Sequence, residues 1–362
     1  MNIGRDHITI GGVLLLAGIL LLPIAQTSQP VRGVLLSQSG EYVELDSDYK
    51  TVKTGALWED MFESSSQREQ LKAFVNLSVL RLTTDVDSNR VFVQVGTPQA
   101  EQIAGYLVLR GENLKLIDAL RQPMPYGPVG FLIDQRVNKI YLTHLSGTVV
   151  YNSKTYQKIT ESTDPLLLIG RSSCVLDEDS LLYTNGRLFD TRNDGVVRLA
   201  AAPRAPSVSV DCKRGRMLLL SRGQDGTVLL TIYDPRLDRL VTEIRTTIPF
   251  TANVEGWHLS PDGNVVVWDE ETLVPVGEGK MRQKTGRLTF FDVQKSTRIG
   301  SAEVPRAAVT DSEILGFSPD SQHVLYRSND RLVAIRLSTM SVVHEVTLPF
   351  RPIGIGWVRV DK

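Results

Sequence analysis

A short β-hairpin motif occurs twice in this sequence and constrains its fold more than any other feature. Residues 255–268 read Glu-Gly-Trp-His-Leu-Ser-Pro-Asp-Gly-Asn-Val-Val-Val-Trp, and residues 313–326 read Glu-Ile-Leu-Gly-Phe-Ser-Pro-Asp-Ser-Gln-His-Val-Leu-Tyr. Each copy has an apolar run, a Ser-Pro-Asp turn and a second apolar run, which is the pattern of a hairpin. Self-similarity at a spacing of about sixty residues predicts a repeat architecture.

The rest of the chain divides into similar units of short strands. Six units have four strands each, whereas the first unit has three, and an isolated strand follows the last unit at residues 353–360. This strand can supply the missing innermost strand of the first unit and close a ring, which hides exposed sheet edges. We therefore predict an all-β fold, a seven-bladed β-propeller over residues 31–362.

Residues 56–75 interrupt the strand pattern. Leu57, Trp58, Met61 and Phe62 recur at helical spacing, which predicts a short helical insert after the first unit. Trp58 and Phe62 have two interpretations: they cover the core beneath them, or they form a surface that docks a partner. We expect this insert and the long, charged hairpin loop at residues 270–286 to be the main partner contacts.

Residues 8–25 form an uncharged apolar stretch near the N-terminus. As a helix they would span about 27 Å, enough to cross a bilayer core. A cleaved signal peptide remains an alternative, but Pro23 spoils the expected cleavage site and favours an uncleaved anchor. Arg5 before the stretch places the N-terminus in the cytoplasm. The expected protein is a single-pass protein of the bacterial cytoplasmic membrane, with residues 1–30 as anchor and linker and the propeller outside the cytoplasm.

The overall charge excludes a nucleic-acid partner. The chain has 40 Lys and Arg residues against 41 Asp and Glu residues, a net charge of −1. Binding to nucleic-acid phosphates depends on an excess of basic residues, which this chain lacks.

We predict the two cysteines, Cys174 and Cys212, to be buried and unpaired. Two cysteines are too few for a disulfide scaffold, and they lack zinc-site spacing. Alignment of the units places Cys174 at an apolar position shared by the innermost strands and Cys212 two residues beyond it in the next unit. An offset of two keeps the same sheet face, so both side chains should point the same way around the ring. The other residues at the shared position are Ile133, Val210, Leu259, Phe317 and Trp357.

Several turn motifs resemble those of a known family. Asp87-Ser-Asn-Arg-Val-Phe-Val, Asp134-Gln-Arg-Val-Asn-Lys-Ile-Tyr-Leu and the two Ser-Pro-Asp turns are similar to the repeats of bacterial YVTN and WD40-like propellers, which include quinoprotein amine dehydrogenase heavy chains. The resemblance implies a propeller fold. Members of the family range from binding scaffolds to lactonase-like enzymes, so the resemblance does not choose between these functions. No active-site motif of the enzymatic members can be placed on this chain, so we predict no catalytic residue, metal site or cofactor.

The start of each innermost strand faces the central mouth of a propeller, where binding residues are expected. A mouth of mixed charge would suit a small polar or zwitterionic ligand, or it is a solvated channel. Our first hypothesis is a scaffold that binds a protein partner; the alternative is a ligand sensor or an enzyme, lactonase-like or dehydrogenase-subunit-like, that uses the mouth. The candidate ligand-binding residues are Arg171, Arg204, Glu255, His258, Asp311, Glu313 and Arg351, and Asn76 and Tyr126 occupy similar positions.

Overall fold

The chain folds into seven four-stranded antiparallel sheets, as seen in a computed structural model. The structure describes residues 30–75, 77–97, 102–121, 131–144, 147–162, 173–176, 180–184, 187–193, 195–199, 209–213, 215–234, 237, 239–249, 256–276, 279–304 and 311–360. The strands, in chain order, are β1 (Val31–Ser37), β2 (Glu41–Leu45), β3 (Thr51–Ala56), β4 (Ser78–Asp85), β5 (Arg90–Thr97), β6 (Gln102–Arg110), β7 (Leu116–Arg121), β8 (Phe131–Asp134), β9 (Lys139–His144), β10 (Gly147–Asn152), β11 (Lys158–Ser162), β12 (Ser173–Leu176), β13 (Leu181–Thr184), β14 (Arg187–Asp190), β15 (Gly195–Leu199), β16 (Ser209–Lys213), β17 (Arg216–Arg222), β18 (Thr227–Asp234), β19 (Arg239–Pro249), β20 (Trp257–Leu259), β21 (Val265–Val276), β22 (Gly279–Asp292), β23 (Thr297–Glu303), β24 (Ser312–Phe317), β25 (His323–Ser328), β26 (Arg331–Arg336), β27 (Ser341–Thr347) and β28 (Pro352–Arg359).

The C-terminal strand completes the first blade. Blade 1 has the order β28-β1-β2-β3, and blades 2 to 7 each consist of four consecutive strands. β28 and β1 pair antiparallel over their whole length, from Val31 opposite Arg359 to Ser37 opposite Pro352. The predicted seven-bladed propeller and its closure by the C-terminal strand are confirmed.

The antiparallel order sorts the connections between strands onto two faces. One face carries the connections between blades and the loop between the second and third strands of each blade. We call it the entry face. The other two turns of each blade lie on the opposite face. Both ends of the described chain lie on that opposite face, where the Val360 N–H donates to the Pro30 carbonyl at 2.9 Å.

The two Ser-Pro-Asp turns are alike in atomic detail. Ser260 Oγ donates to Asp262 Oδ1 and accepts from the Val265 N–H. Ser318 Oγ donates to Asp320 and accepts from the His323 N–H in the same way. The repeated sequence therefore encodes a turn on the opposite face, where short polar side chains replace backbone partners.

The hydrophobic core lies between successive blades. Ile133, Leu259, Phe317 and Trp357, from the predicted shared position, each pack into a cluster with the preceding blade. The side chain of Trp357 is held further by a hydrogen bond from Nε1 to the Phe317 carbonyl at 2.8 Å. These positions are core, as their apolar pattern predicts.

The expectation that the cysteines stay unpaired is wrong, because Cys174 and Cys212 form a disulfide with their Cα atoms 5.7 Å apart. In blade 4 the residue that packs toward the preceding blade is Val175, not Cys174. A shift of one residue reverses the sheet face. Cys174 therefore points toward blade 5 and joins the same cluster as Cys212, which points back toward blade 4.

Two short helices lie in the connection from β3 to β4, namely α1 (Leu57–Asp60) and α2 (Ser65–Gln70). Leu57 and Met61 are fully buried against blades 1 and 2, and Trp58 and Phe62 are partly buried on the same cluster. The predicted anchor at residues 8–25 lies outside the described residues. Within the described part of the chain, no helix has the length and apolar character needed to cross a membrane.

The disulfide should contribute strongly to stability, since it closes a loop of 38 residues in the unfolded chain. Loop-closure entropy predicts that Cys174→Ser/Cys212→Ser lowers the free energy of unfolding by about 4 kcal/mol. Urea denaturation measures this change, and reductant should destabilise the wild type but leave the double variant unaffected. Equal stability of the wild type with and without reductant would contradict the pairing.

Candidate functional site

A pocket of about 440 Å³ opens on the entry face where the innermost strands of blades 7, 1 and 2 begin. We call it the entry pocket. Blade 7 contributes Glu313 and Arg327, and the approach to β28 contributes Arg351. The remaining lining residues come from the β1–β2 loop and the strand ends that flank it, from β4, and from β28 and the approach to it: Ser37, Gln38, Ser39, Glu41, Val79, Leu80, Phe350 and Ile353.

A network of charged side chains surrounds Arg327 in the pocket wall. Arg327 Nη2 lies 3.2 Å from Asp311 Oδ1 and 3.1 Å from Glu313 Oε1, and Nη1 donates to the Pro352 carbonyl at 2.9 Å. Asp311 also pairs with Arg351. Burial lowers the pKa of Arg327, while Glu313 and Asp311 act in the opposite direction. The guanidinium is thus a buried cation compensated by carboxylates at the mouth.

The β1–β2 loop forms the facing wall and is held by α1. Trp58 Nε1 donates to the Ser39 carbonyl at 2.9 Å. Gly40 has φ of +91°, and a Cβ there would lie 2.5 Å from Trp58 Nε1, so only glycine fits beneath the indole. Trp58, a predicted partner-binding residue, therefore positions the loop that carries Glu41.

The structure brings part of the predicted mouth together. Asp311, Glu313 and Arg351 meet around Arg327, whereas His258 lies on β20 opposite Val267 and does not line the entry pocket. No group of three or more His, Cys, Asp or Glu side chains is placed to hold a metal ion within the described ranges. The predicted positions that lie outside the described residues are Asn76, Tyr126, Arg171, Arg204 and Glu255.

A second charged cluster lies in blade 6, beside blade 7. Lys284 Nζ is 3.1 Å from Asp269 Oδ2 and 2.7 Å from Glu271 Oε1, and the Tyr326 hydroxyl of blade 7 donates to Asp269 at 3.4 Å. Burial raises the pKa of Asp269 to about 6, and Lys284 offsets part of that rise. Burial also opposes the charge of Lys284, but attraction from Asp269 and Glu271 outweighs it and raises the pKa of Lys284.

Asp269 and Arg327 occupy equivalent positions in the two hairpin copies. Each directly follows the last aromatic residue of its copy, Trp268 or Tyr326, on the second strand. Both are buried, with 0% and 4% of the residue exposed. Our sequence reasoning missed Arg327 and Asp269, although a charged residue after the same aromatic position in both copies was an available signal.

Above the second cluster, β21 and β22 continue as a two-stranded ribbon. Their pairing runs from Glu271 opposite Lys284 to Val276 opposite Gly279, whereas β20 pairs with β21 only as far as Trp268 and β23 pairs with β22 only from Arg287 onward. The ribbon extends the blade by about 20 Å on the entry face, at about 3.3 Å per residue.

The raised pKa of Asp269 predicts a pH-dependent stability. The Asp269 carboxyl binds a proton more tightly in the folded protein than in the unfolded chain, so its protonation stabilises the fold. This contribution to stability is present below the ordinary pKa of 3.8 and is lost as the pH rises through about 6. As the pH rises from 4 to 7, the wild type should lose this contribution whereas Asp269→Asn should not. The free energy of unfolding of Asp269→Asn should therefore rise by roughly 1–3 kcal/mol relative to that of the wild type. Urea denaturation across this range measures the gain.

The exposed Asp48→Asn change is a matched control for this pH series, because the Asp48 side chain is 74% exposed. Its stability relative to the wild type should not vary across the same range. A constant difference between Asp269→Asn and the wild type from pH 4 to pH 7 would show that Asp269 does not titrate there.

Comparison with known proteins supports the fold. No family model matches the chain, and no curated protein matches it in sequence. Among solved structures, Kuenenia stuttgartiensis hydrazine synthase is similar over 78% of this chain and 95% of that chain, with 12% identity and a TM-score of 0.55. KlHsv2 with loop 6CD replaced by a Gly-Ser linker is similar over 88% and 95%, with 14% identity and a TM-score of 0.54. At these identities the similarity shows the seven-bladed propeller fold alone.

Proposed function

We propose that the protein is a membrane-anchored β-propeller that binds a protein partner outside the cytoplasm through its entry face. The observation that carries this proposal is the common location of three features on one face. The helical insert connects blades there, the entry pocket opens there, and the ribbon of blade 6 extends from there. Propellers commonly serve as binding platforms, and function must be argued from such sites, not from the fold.

The positions of the chain ends support an orientation for this platform. Pro30 and Val31 lie on the opposite face, and the sequence places the apolar stretch at residues 8–25 just before them. If that stretch is the anchor, the opposite face is turned to the membrane and the entry face is turned away from it. A partner outside the cytoplasm would then meet the entry face first.

The disulfide supports the proposed compartment. Disulfides persist in oxidising environments such as the periplasm and the cell exterior and are rare in the cytosol. The pairing of Cys174 with Cys212 therefore agrees with a propeller on the periplasmic or extracellular side of a bacterial cytoplasmic membrane.

We also propose that the chain is related to the YVTN and WD40-like propellers. Two turns on the opposite face support this relationship. Asp85 Oδ1 accepts from two following backbone N–H groups, as does Asp134 Oδ1 in the next blade. Asn89 and Asn138 then both adopt positive φ, at 52° and 54°. The same turn chemistry thus recurs where the sequence resemblance lies.

The entry pocket supports a second candidate function, a ligand sensor or an enzyme that uses the mouth. Its volume falls in the range of small-molecule sites, roughly 300–1,000 Å³. The exposed part of Arg351 and the half-exposed Glu313 offer opposite charges to a zwitterion. A ligand that stabilises the protein without any partner would favour this candidate.

Removal of the ribbon tests the binding platform. Residues 272–283 can be replaced by an Asn-Gly turn, which keeps Glu271 paired with Lys284 and leaves the charged cluster around Asp269 in place. Cross-linking in the source cells, followed by mass spectrometry, should then show at least a tenfold loss of the partner. The control Asp48→Ser/Lys50→Ser changes exposed residues of the opposite face and should retain the partner. Unchanged cross-links after ribbon removal would contradict a role for the entry face.

The anchor has its own test. The full chain should stay with membranes after alkaline carbonate extraction, whereas a chain that starts at residue 30 should be released as a soluble protein. In spheroplasts, external protease should digest a C-terminal tag, because Val360 lies with the propeller outside. Release of the full chain, or a protected tag, would rule out this topology.

A further inference from the structure

We propose that the entry pocket binds a lysine or arginine side chain of the partner protein between Glu41 and Glu313. The proposed function supplies only the source of this side chain. The chemistry of the pocket stands on its own residues, so the two can fail separately.

The charge balance of the pocket favours a cation. Two carboxylates, Glu41 and Glu313, line the pocket with two guanidiniums. Asp311 lies beside the lining as a third carboxylate, and both guanidiniums are engaged. Asp311 lies at ion-pair distance from Arg327 and Arg351, and Glu313 pairs with Arg327. One negative charge remains, and a concave wall strengthens its field for an incoming cation.

The exposed side chains of the pocket also favour a positively charged ligand. Glu41 is exposed and pairs with no cation among the described residues, and it accepts from Ser39 Oγ at 3.0 Å. The Glu313 side chain is 49% exposed and contacts Arg327 through one oxygen. Arg351 is also exposed, but a ligand carboxylate would have to compete there with Asp311. A cation meets two carboxylates with unused acceptors, whereas an anion meets a cation already paired.

Apolar residues in the wall fit the stem of a basic side chain. Val79, Leu80, Phe350 and Ile353 line the pocket beside the carboxylates. Lysine and arginine bury their methylene groups against such surfaces while their charged ends reach polar partners. The pocket thus offers carboxylates for the charged end of a basic side chain and apolar residues for its methylene groups.

A free polyamine carries the same charges and methylene groups as a basic side chain. The pocket residues alone therefore do not separate a polyamine from a peptide, and the assignment to a side chain of a protein rests on the proposed function. Direct comparison of a basic peptide with a polyamine separates the two.

Capped tripeptides test this assignment with the full-length protein in nanodiscs. Titrations followed by ligand-detected NMR would compare acetyl-Gly-Lys-Gly-amide and acetyl-Gly-Arg-Gly-amide with the Gln and Glu equivalents and with putrescine. We expect at least one basic peptide to bind tenfold more tightly than the Gln peptide and more tightly than putrescine. Equal binding of the Gln peptide, preference for the Glu peptide or putrescine, or no binding of the basic peptides at 20 mM would overturn the proposal.

Matched variants locate the binding. Glu41→Gln/Glu313→Gln should weaken binding of the basic peptide at least tenfold. Glu41→Gln alone, which breaks no ion pair among the described residues, should weaken it about threefold. Glu303→Gln/Glu345→Gln makes the same change of charge at exposed Arg–Glu pairs outside the pocket and should keep affinity within twofold. Equal losses in both double variants would refute the site. Partner capture that needs the ribbon, without tripeptide binding, would refute the pocket alone; tripeptide binding without capture would refute the platform alone.

Discussion

The pairing of β28 with β1 is the interaction on which the rest of the structure depends. It gives blade 1 its innermost strand and, through that strand, joins blade 1 to both neighbours. The backbone N–H of Trp357 donates to Thr84 of blade 2, while its indole donates to the Phe317 carbonyl of blade 7. The same strand brings Arg351 to the entry pocket. Closure of the ring and assembly of the candidate site are therefore one event.

The propeller could be predicted because its signals are local. The Ser-Pro-Asp turns and the alternation of short apolar runs depend on neighbours in sequence, and the count of strands then requires closure by the last one. The disulfide could not be predicted in the same way. An error of one residue in the alignment of blade 4 put Cys174 on the wrong sheet face, since side chains alternate along a strand. Contacts between blades depend on the exact register of each strand. The sequence similarity between these repeats is too weak to specify that register.

The candidate site was partly predictable for a related reason. Asp311, Glu313 and Arg351 lie at strand entries, which the topology assigns to the mouth. Arg327 and Asp269 lie inside apolar strands, where a charged residue is expected to face solvent. Their burial depends on partners from other strands, such as Glu313 for Arg327 and Lys284 for Asp269. Buried ion pairs add little net stability, so two at equivalent positions of neighbouring blades are better explained by what they position on the entry face.

The first strand of the ring pairs with the last one, and this order has a consequence in time. Val31 is synthesised early, but its partner Arg359 follows 328 residues later. Until then β1 presents an open edge, which favours pairing with other chains. A chain that stops before β28 has no closed ring and no complete mouth. Synthesis of β28 is thus the step that hides the edge of β1, and shorter chains keep that edge exposed.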